Sequence, residues 1–326
     1  MRASTHNAVT GESFLFSVMN IARPFRFLIA GLVLANAQAV HGIDGDASQA
    51  QIAAAAAGRS FFRANDFENA ARNLQLETSL AEKSAQPPSE ESLQMLAQCY
   101  ARLGDVTGQT WALERLVTHY PRPRYWSELI TRTQRRQDFA QRLALDFLRL
   151  RRATGSLQGA DDYAALATLA MRAGFPAEAA AAVDAGFSHG VLGAGTDAAR
   201  FHGLHDTAAR QAADRHRAIE DPQAIQDAAS QPTGEALIQL GYEFVTYGEY
   251  AKGLPLIQTG LRKGGIDKPS DAVMRLGMAY LLAGRKADAL TTLATVTGVH
   301  GAADLGHLWY LHALGNAMSD GSRRPA

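Results

Sequence analysis

Two segments near the C-terminal end of the chain repeat one pattern of apolar, small and aromatic positions. The first, LIQLGYEFVTYGEYAKGLPLI, begins at Leu237, and the second, VMRLGMAYLLAGRKADALTTL, begins at Val273. In each segment an aromatic residue follows Leu-Gly three positions after the glycine, and a turn glycine and a second apolar stretch come next. Apolar residues three and four positions apart share one face of a helix, so each segment predicts two α-helices joined by a tight turn.

Earlier parts of the chain fit the same frame with fewer matching positions. Segments 58–74, 93–121 and 163–190 carry the small residue, the turn residue and the apolar residue of the second helix. The segment 126–146 lacks the small residues, and we expect its two helices to lie further apart. Small side chains at Gly58, Ala97, Ala167, Gly241 and Gly277 allow paired helices to approach closely.

The pattern resembles the tetratricopeptide repeat (TPR) motif, L-G-x-x-Y followed by a turn and A-x-x-x-F. The resemblance implies an all-α fold, an α-solenoid in the form of a right-handed superhelix of TPR-like helix hairpins. Each hairpin of such an array buries its apolar face against its neighbours. Residues 302–318 would form a C-terminal capping helix that covers the last hairpin. The alternative is an ordinary helical bundle whose small residues fall into register by chance.

Prolines and irregular stretches divide the chain. Pro-rich breaks follow residues 86, 121 and 231, and residues 196–232 lack the turn glycine. The predicted division after the first 39 residues is: N-terminal TPR-like repeats at 50–192, a degenerate repeat or helical spacer at 193–233, C-terminal TPR-like repeats at 234–300, a capping helix at 301–318 and a disordered tail at 319–326.

The N-terminal 39 residues have the pattern of a secretory signal peptide. Arg23 and Arg26 precede an apolar run at 27–35, and Ala37-Gln38-Ala39 forms an A-x-A cleavage site. We therefore expect the mature protein to be periplasmic or secreted, with Met19 as an alternative start. The run is too short to cross a bilayer of about 30 Å, so we expect no stable membrane span after its removal. The alternative is a short buried helix.

Composition supports helices and narrows the classes of function. The 326 residues include 61 alanines, which suit close-packed helices. The single cysteine, Cys99, excludes an internal disulfide framework and a thiolate metal cage. The 32 basic residues balance the 32 acidic residues, so the chain lacks the electrostatic signature of a nucleic-acid binder.

The sequence contains few residues that suggest catalysis or metal binding. The sequence contains no nucleophile elbow, Walker loop, H-E-x-x-H motif or dinucleotide fingerprint. Cys99 falls inside a predicted helix and is interpreted as a buried structural thiol. His202 and His205 share one helical face, but the sequence fixes no third ligand. We expect no enzymatic activity, no cofactor and no metal site.

In TPR arrays the first helices of successive repeats line a concave groove that binds peptides or protein segments. By resemblance, ten residues of this chain face that groove. The N-terminal part of the groove is polar and basic, and the C-terminal part is apolar. These residues are Gln98, Arg102, Arg124, Gln134, Arg135 and Arg172 in the first part, and Tyr242, Val245, Met274 and Met278 in the second. The neighbouring or capping helix could instead fill the apolar part.

The leading hypothesis is a non-catalytic protein interaction scaffold of the cell envelope that binds a peptide or protein segment in this groove. An alternative arises from residues 122–152, where nine arginines stand against three acidic residues. This segment could bind an anionic envelope polymer such as a polysaccharide or peptidoglycan. It could equally be a solvated face whose arginine stems cover apolar surface.

Overall fold

A computed structural model describes residues 40–135, 139–193 and 195–321. These residues form 15 α-helices and one short 3-10 helix, Gln141–Leu143, and no β-strand occurs among them. The predicted all-helical class is confirmed. The α-helices are α1 Val40–Arg63, α2 Phe67–Lys83, α3 Glu90–Leu103, α4 Val106–His119, α5 Pro123–Gln134, α6 Ala144–Ala153, α7 Gly159–Arg172, α8 Pro176–Ser188, α9 Ala198–Ile219, α10 Pro222–Ser230, α11 Glu235–Thr246, α12 Tyr250–Lys263, α13 Pro269–Leu282, α14 Lys286–Leu293 and α15 Ala302–Gly321.

Residues 44–326 form one compact unit, and all contacts described below lie within it. Residues 40–43, at the start of α1, are the only described residues outside this unit. The predicted signal peptide at 1–39 lies outside the described residues. No helix in the described part of the chain is both long enough and apolar enough to cross a membrane.

Consecutive helices pack side by side as hairpins, and the hairpins pack in sequence order. The contacts within hairpins are most extensive for α3–α4, α7–α8, α11–α12 and α13–α14. Successive hairpins are joined mainly through α2 against α3 and α8 against α9. This arrangement is the predicted α-solenoid of TPR-like helix hairpins.

Of the described helix pairs, α11 and α12 make the most extensive contact, and this contact depends on glycines. A methyl group added at Gly241 would lie 2.7 Å from the carbonyl oxygen of Gly253, and one added at Gly260 would lie 2.5 Å from that of Gly234. Such distances are below van der Waals contact, so any side chain at these positions would push the helices apart. The close approach predicted at Gly241 is therefore confirmed.

Turn glycines allow each chain reversal within these hairpins. Gly248 between α11 and α12 has φ 81°, and Gly284 between α13 and α14 has φ 72°. This left-handed region is strained for residues with a Cβ atom, which is why glycine recurs at this position of the repeat.

The third hairpin departs from the repeat. Helices α5 and α6 make few contacts with each other, as expected from the missing small residues. However, Arg142, aligned by sequence with a small position of the second helix, lies in the 3-10 helix before α6. Its guanidinium donates from Nε to Asp271 Oδ2 at 2.8 Å, which joins this turn to α13.

Helix α15 does more than cover the last hairpin. It packs on α13 and α14, as a capping helix would, and also on α4 and α5 of the N-terminal repeats. Trp126 in α5 and His312 in α15 meet edge to face, with ring centroids 5.9 Å apart. The expectation of a simple terminal cap is therefore incomplete, because α15 also joins the last hairpin to the second and third hairpins. It ends at Gly321, three residues into the predicted tail, and residues 322–326 lie outside the described part.

One continuous core extends from α3 to α15. Its largest fully buried side chains include Trp126, Phe147 and Phe175. Burying one large apolar side chain contributes about 1.5–3 kcal/mol, so the contacts between hairpins supply much of the stability.

Candidate functional site

The polar residues predicted to line the groove fall into two groups. Gln98 and Arg124 are exposed and line the same crevice. Arg102, Arg135 and Arg172 are exposed at the C-terminal ends of three different helices and do not join that crevice. Gln134 is half-buried, and its side-chain oxygen accepts a hydrogen bond from Arg151 at 3.2 Å. The structure therefore brings together two of these six residues.

The crevice that contains Gln98 and Arg124 has a volume of about 380 Å³ and lies between α3, α4 and α5. We call it the polar groove. Amide and charged side chains surround a floor of small and aliphatic residues. Its lining residues are Gln94, Ala97, Gln98, Ala101, Gln109, Leu113, Leu116, Arg124, Tyr125 and Glu128.

Three glutamine amides converge on the polar groove. Gln94 donates to Glu90 Oε1 at 3.2 Å and also to the Tyr125 hydroxyl. Gln109 donates to Glu128 Oε1 at 3.0 Å. No described residue forms a hydrogen bond with the amide of Gln98, which is exposed. Within the described part of the chain, the side-chain oxygens of these three glutamines therefore accept no hydrogen bond. The amide nitrogen of Gln98 donates none to a described residue.

A hydrogen-bonded cluster fixes one rim of the polar groove. Glu90 accepts from the Tyr125 hydroxyl at 2.5 Å, from Arg122 at 2.6 Å and from Arg124 at 3.1 Å. The hydrogen bond from Tyr125, followed by that from Arg122, lowers the pKa of the Glu90 carboxyl. Glu90 therefore stays ionised at neutral pH and holds Arg124 at the rim.

The apolar residues predicted for the groove are not on an open surface. Tyr242, Val245, Met274 and Met278 are between 0% and 2% exposed. Helices α13 and α15 cover this part of the array, so the expectation of an open apolar groove is wrong for these four positions. Whether any of them contacts a partner stays a prediction.

Three of the four, Tyr242, Val245 and Met278, line a cavity of about 430 Å³ that we call the central cavity. Helices α6, α8, α11, α13 and α15 contribute most of its walls. Met274 does not reach it. The other lining residues are Arg149, Arg152, Ala153, Glu178, Ala181, Thr246, Gly248, Tyr250, Leu281, Leu282, Lys286, Trp309 and His312.

A buried ion-pair cluster lies on one wall of the central cavity. Arg149, whose side chain is 4% exposed, donates from Nε and Nη2 to the two carboxylate oxygens of Glu178 at 2.8 and 2.6 Å. Its Nη1 donates to Asp146 at 2.6 Å. The guanidinium also lies against the rings of Phe175 and Tyr242, with centroids at 4.9 and 4.8 Å. Such pairing offsets the cost of burying the charges.

This cluster changes the interpretation of the arginine-rich segment 122–152. Arg149 and Arg151 are buried, and Arg142 pairs with Asp271 of α13. Arg122 and Arg124 share Glu90. The segment therefore does not present one continuous basic face. Sequence reasoning missed these pairings because, apart from Asp146, the acidic partners lie 29 to 129 positions away along the chain.

Metal-ligand residue types converge at a different place from the predicted histidine pair. His202 stacks on Phe187, and His205 contacts Asp184 at 2.9 Å. His216, Glu220 and Glu249 instead bring one potential ligand atom each within 4.8 Å of one another. The Lys252 ammonium bridges Glu220 and Glu249 at 2.6 and 2.7 Å. The cluster therefore forms an ion-pair network that links the end of α9 to the start of α12.

Cys99 is buried in α3, as expected from its position in the repeat. Burial raises the pKa of its thiol to about 11. The thiol therefore stays protonated at neutral pH and is a poor nucleophile.

The sequence profile of the tetratricopeptide repeat family matches residues 271–299, which cover most of the α13–α14 hairpin. A crystal structure of a tetratricopeptide repeat protein from Parabacteroides merdae aligns with 80% of this chain and 99% of its own, at 12% identity and a TM-score of 0.31. An assembly chaperone of RpL4, Acl4, aligns with 83% of this chain and 99% of its own, at 13% identity and a TM-score of 0.23. No curated protein sequence matches the chain. Both TM-scores are low, so the support for a TPR-like fold is the profile match to one hairpin and the succession of helix hairpins.

Proposed function

We propose that this chain is a non-catalytic scaffold that binds an extended protein segment in the polar groove. The observation that carries the proposal is the convergence of the Gln94, Gln98 and Gln109 amides around an open crevice of about 380 Å³. The proposal keeps the groove binding expected of TPR-like repeats and restricts it to the hairpins α3–α4 and α5–α6.

Glutamine side chains suit an extended backbone. Gln98 offers N–H donors and a C=O acceptor, and Gln94 and Gln109 offer unpaired C=O acceptors. Each peptide group of a bound segment presents a complementary donor and acceptor. An extended segment leaves these backbone groups unpaired, whereas a helical segment has already used them. The three amides therefore favour an extended ligand.

The floor of the polar groove limits the side chains that it can take. Ala97 and Ala101 are small, and Leu113 and Leu116 are 1% exposed beneath them. We expect the bound segment to place small or aliphatic side chains against this floor.

The charges of the polar groove predict a weak dependence on salt. It contains one arginine, Arg124, and one glutamate, Glu128, and Arg124 is already paired with Glu90. Raising the ionic strength to about 1 M shortens the Debye length to about 3 Å, yet should weaken peptide binding little. Binding of an anionic polymer through Arg124 and Arg135, the alternative, would be lost under the same conditions and on Arg124→Ala/Arg135→Ala.

We place the scaffold in the cell envelope, in the periplasm or outside the cell, on the strength of the signal-peptide pattern at 1–39. The N-terminal sequence of the mature protein tests this part. Processing after Ala39 and recovery in the envelope or medium are expected, and an unprocessed protein in the cytoplasmic fraction would contradict it.

A photoreactive residue at Gln98 tests the binding site in cells that make the protein. The matched control carries the same residue at Gln223, which is also exposed but lies on α10. Crosslinks to one protein from Gln98 and not from Gln223, mapping to an extended segment of that protein, are expected. Equal labelling from both positions, or no crosslink from Gln98, would contradict the proposal.

A further inference from the structure

The central cavity combines an open end with a buried interior. Ala153, Gly248 and Leu282 are exposed where they line it, and Leu282 keeps 54% of its surface accessible. Tyr242 and Trp309, which also line it, are 2% and 5% exposed. The volume of about 430 Å³ falls within the range of about 300–1,000 Å³ typical of small-molecule sites. The cavity can therefore enclose most of a small ligand that enters from one side.

The walls are mostly apolar but include the hydroxyl group of Tyr242. Val245, Met278 and Leu281 supply aliphatic surface, and Trp309 and Tyr242 supply rings. No described residue forms a hydrogen bond with the Tyr242 hydroxyl. Burial raises the pKa of Tyr242 far above its ordinary value, so this hydroxyl stays neutral and can donate a hydrogen bond. A hydroxyl of this kind on the cavity wall favours a ligand that carries an acceptor atom.

The charges of the cavity are not balanced. Arg149 is compensated by Asp146 and Glu178. Arg152 is half-buried, and its Nη2 donates only to the carbonyl oxygen of Ala181 at 3.3 Å. No carboxylate in the described part of the chain lies within ion-pair distance of Arg152. A cation beside an apolar, partly enclosed space attracts an anion more strongly than one in open water.

From these three observations we propose that the central cavity binds a small organic anion with an apolar, ring-containing body. Its body packs between Met278 and Trp309, and its acid group lies near Arg152. The Tyr242 hydroxyl donates to one of its oxygen atoms. This site is separate from the polar groove and goes beyond the scaffold function.

A pair of fluorescent probes tests both parts of the proposal in the full chain. 8-Anilinonaphthalene-1-sulfonate is an anion with an apolar aromatic body, and N-phenyl-1-naphthylamine has the same rings without the sulfonate. We expect one sulfonate probe to bind per chain, about tenfold more tightly than the neutral probe at low salt.

Substitutions in and near the central cavity test where the two probes bind. Met278→Trp should fill the cavity and weaken both probes about a hundredfold. Leu282→Trp, at an exposed position of the mouth, should weaken both probes as well and serves if Met278→Trp does not fold. Arg152→Gln should remove the preference for the sulfonate probe and leave the neutral probe unchanged. The matched control is Arg200→Gln, which removes an arginine with a 61% exposed side chain on α9 and should change neither affinity.

Several results would overturn the proposal. The cavity is not the site if the sulfonate probe fails to bind, or if its affinity is unchanged in folded Met278→Trp and Leu282→Trp proteins. The preference for an anion is wrong if the two probes bind equally, or if Arg152→Gln weakens both alike. Crosslinking from Gln98 should be the same in all these variants, so either proposal can fail without the other.

Discussion

The Nε2 atom of His307 lies 3.2 Å from Oε1 of Glu114, although 193 positions separate the two residues in the sequence. This contact joins α15 to α4 and is part of the surface through which the C-terminal helix meets the N-terminal repeats. In a repeat array each unit ordinarily contacts only its neighbours. Here the last helix also stabilises hairpins near the start of the described chain.

Docking of α15 predicts unequal effects for two of its side chains. Trp309→Ala should lower the free energy of unfolding by about 3–5 kcal/mol, because Trp309 is buried in the core. His307→Ala should cost less than about 1 kcal/mol, because its contact with Glu114 is partly solvated. Urea denaturation followed by circular dichroism measures both. A Trp309→Ala protein as stable as the wild type would show that α15 does not pack on the array in solution.

The close helix contact at Gly241 predicts that alanine at this position destabilises the protein, whereas alanine in place of an exposed helical glycine does not. Gly241→Ala should destabilise the fold by about 1–3 kcal/mol, because the new methyl group would overlap the Gly253 carbonyl oxygen. Gly203 is the matched control, since it is also helical but has no atom within 4 Å of an added methyl group. Gly203→Ala should stabilise the protein by up to about 1 kcal/mol through helix propensity. Thermal denaturation of both variants checks the sign, and a shift in the same direction would contradict the close helix approach.

The buried ion-pair cluster predicts a large effect from a single carboxylate. Glu178→Ala should lower the free energy of unfolding by about 3–5 kcal/mol, because it leaves the buried Arg149 with one partner. Asp214→Ala breaks an ion pair whose two side chains are 70% or more exposed, and should cost less than about 1 kcal/mol. Equal losses in guanidinium denaturation would show that Arg149 is solvated.

His312 predicts a loss of stability in acid. Burial lowers its pKa from 6.5 to about 4, so between these values the unfolded chain binds a proton that the folded chain does not. Stability is therefore fully present above pH 6.5 and falls as the pH drops toward 4. This residue accounts for about 3 kcal/mol of that fall. The His312→Phe variant should lose less stability between pH 7 and pH 4 than the wild type, and parallel curves would be inconsistent with a buried neutral imidazole.

The sequence predicted those features of the fold that depend on neighbouring residues. The spacing of Gly241 and Gly248, and of Gly277 and Gly284, marks the close approach and the turn of two hairpins, and the structure has both. The same pattern holds no information on the contact of Arg142 with Asp271 or on α15 against α4. A repeat specifies how adjacent hairpins pack, whereas these contacts depend on how small rotations accumulate over many hairpins.

Prediction of the candidate site was limited in the same way. Gln98 and Arg124, which the repeat register assigned to the groove, line one accessible crevice, and their role in binding stays a prediction. The register missed Gln109, because that side chain enters the polar groove from the second helix of its hairpin. It also placed Tyr242 and Met278 on an open surface, because register gives the direction of a side chain but not the helix that later covers it. The sequence also could not distinguish Arg152 from Arg149. Only the tertiary contacts show that Glu178 pairs with Arg149, while Arg152 donates to a backbone carbonyl.

Titration calorimetry with the extended segment identified by crosslinking from Gln98 tests the central claim most directly. The segment is titrated into the wild type, into the Gln98→Ala/Gln109→Ala variant, and into Gln223→Ala as the control. Loss of two amide contacts should weaken binding about tenfold or more in the double variant and leave the control unchanged. Equal affinity for all three proteins would contradict binding through the glutamine amides of the polar groove.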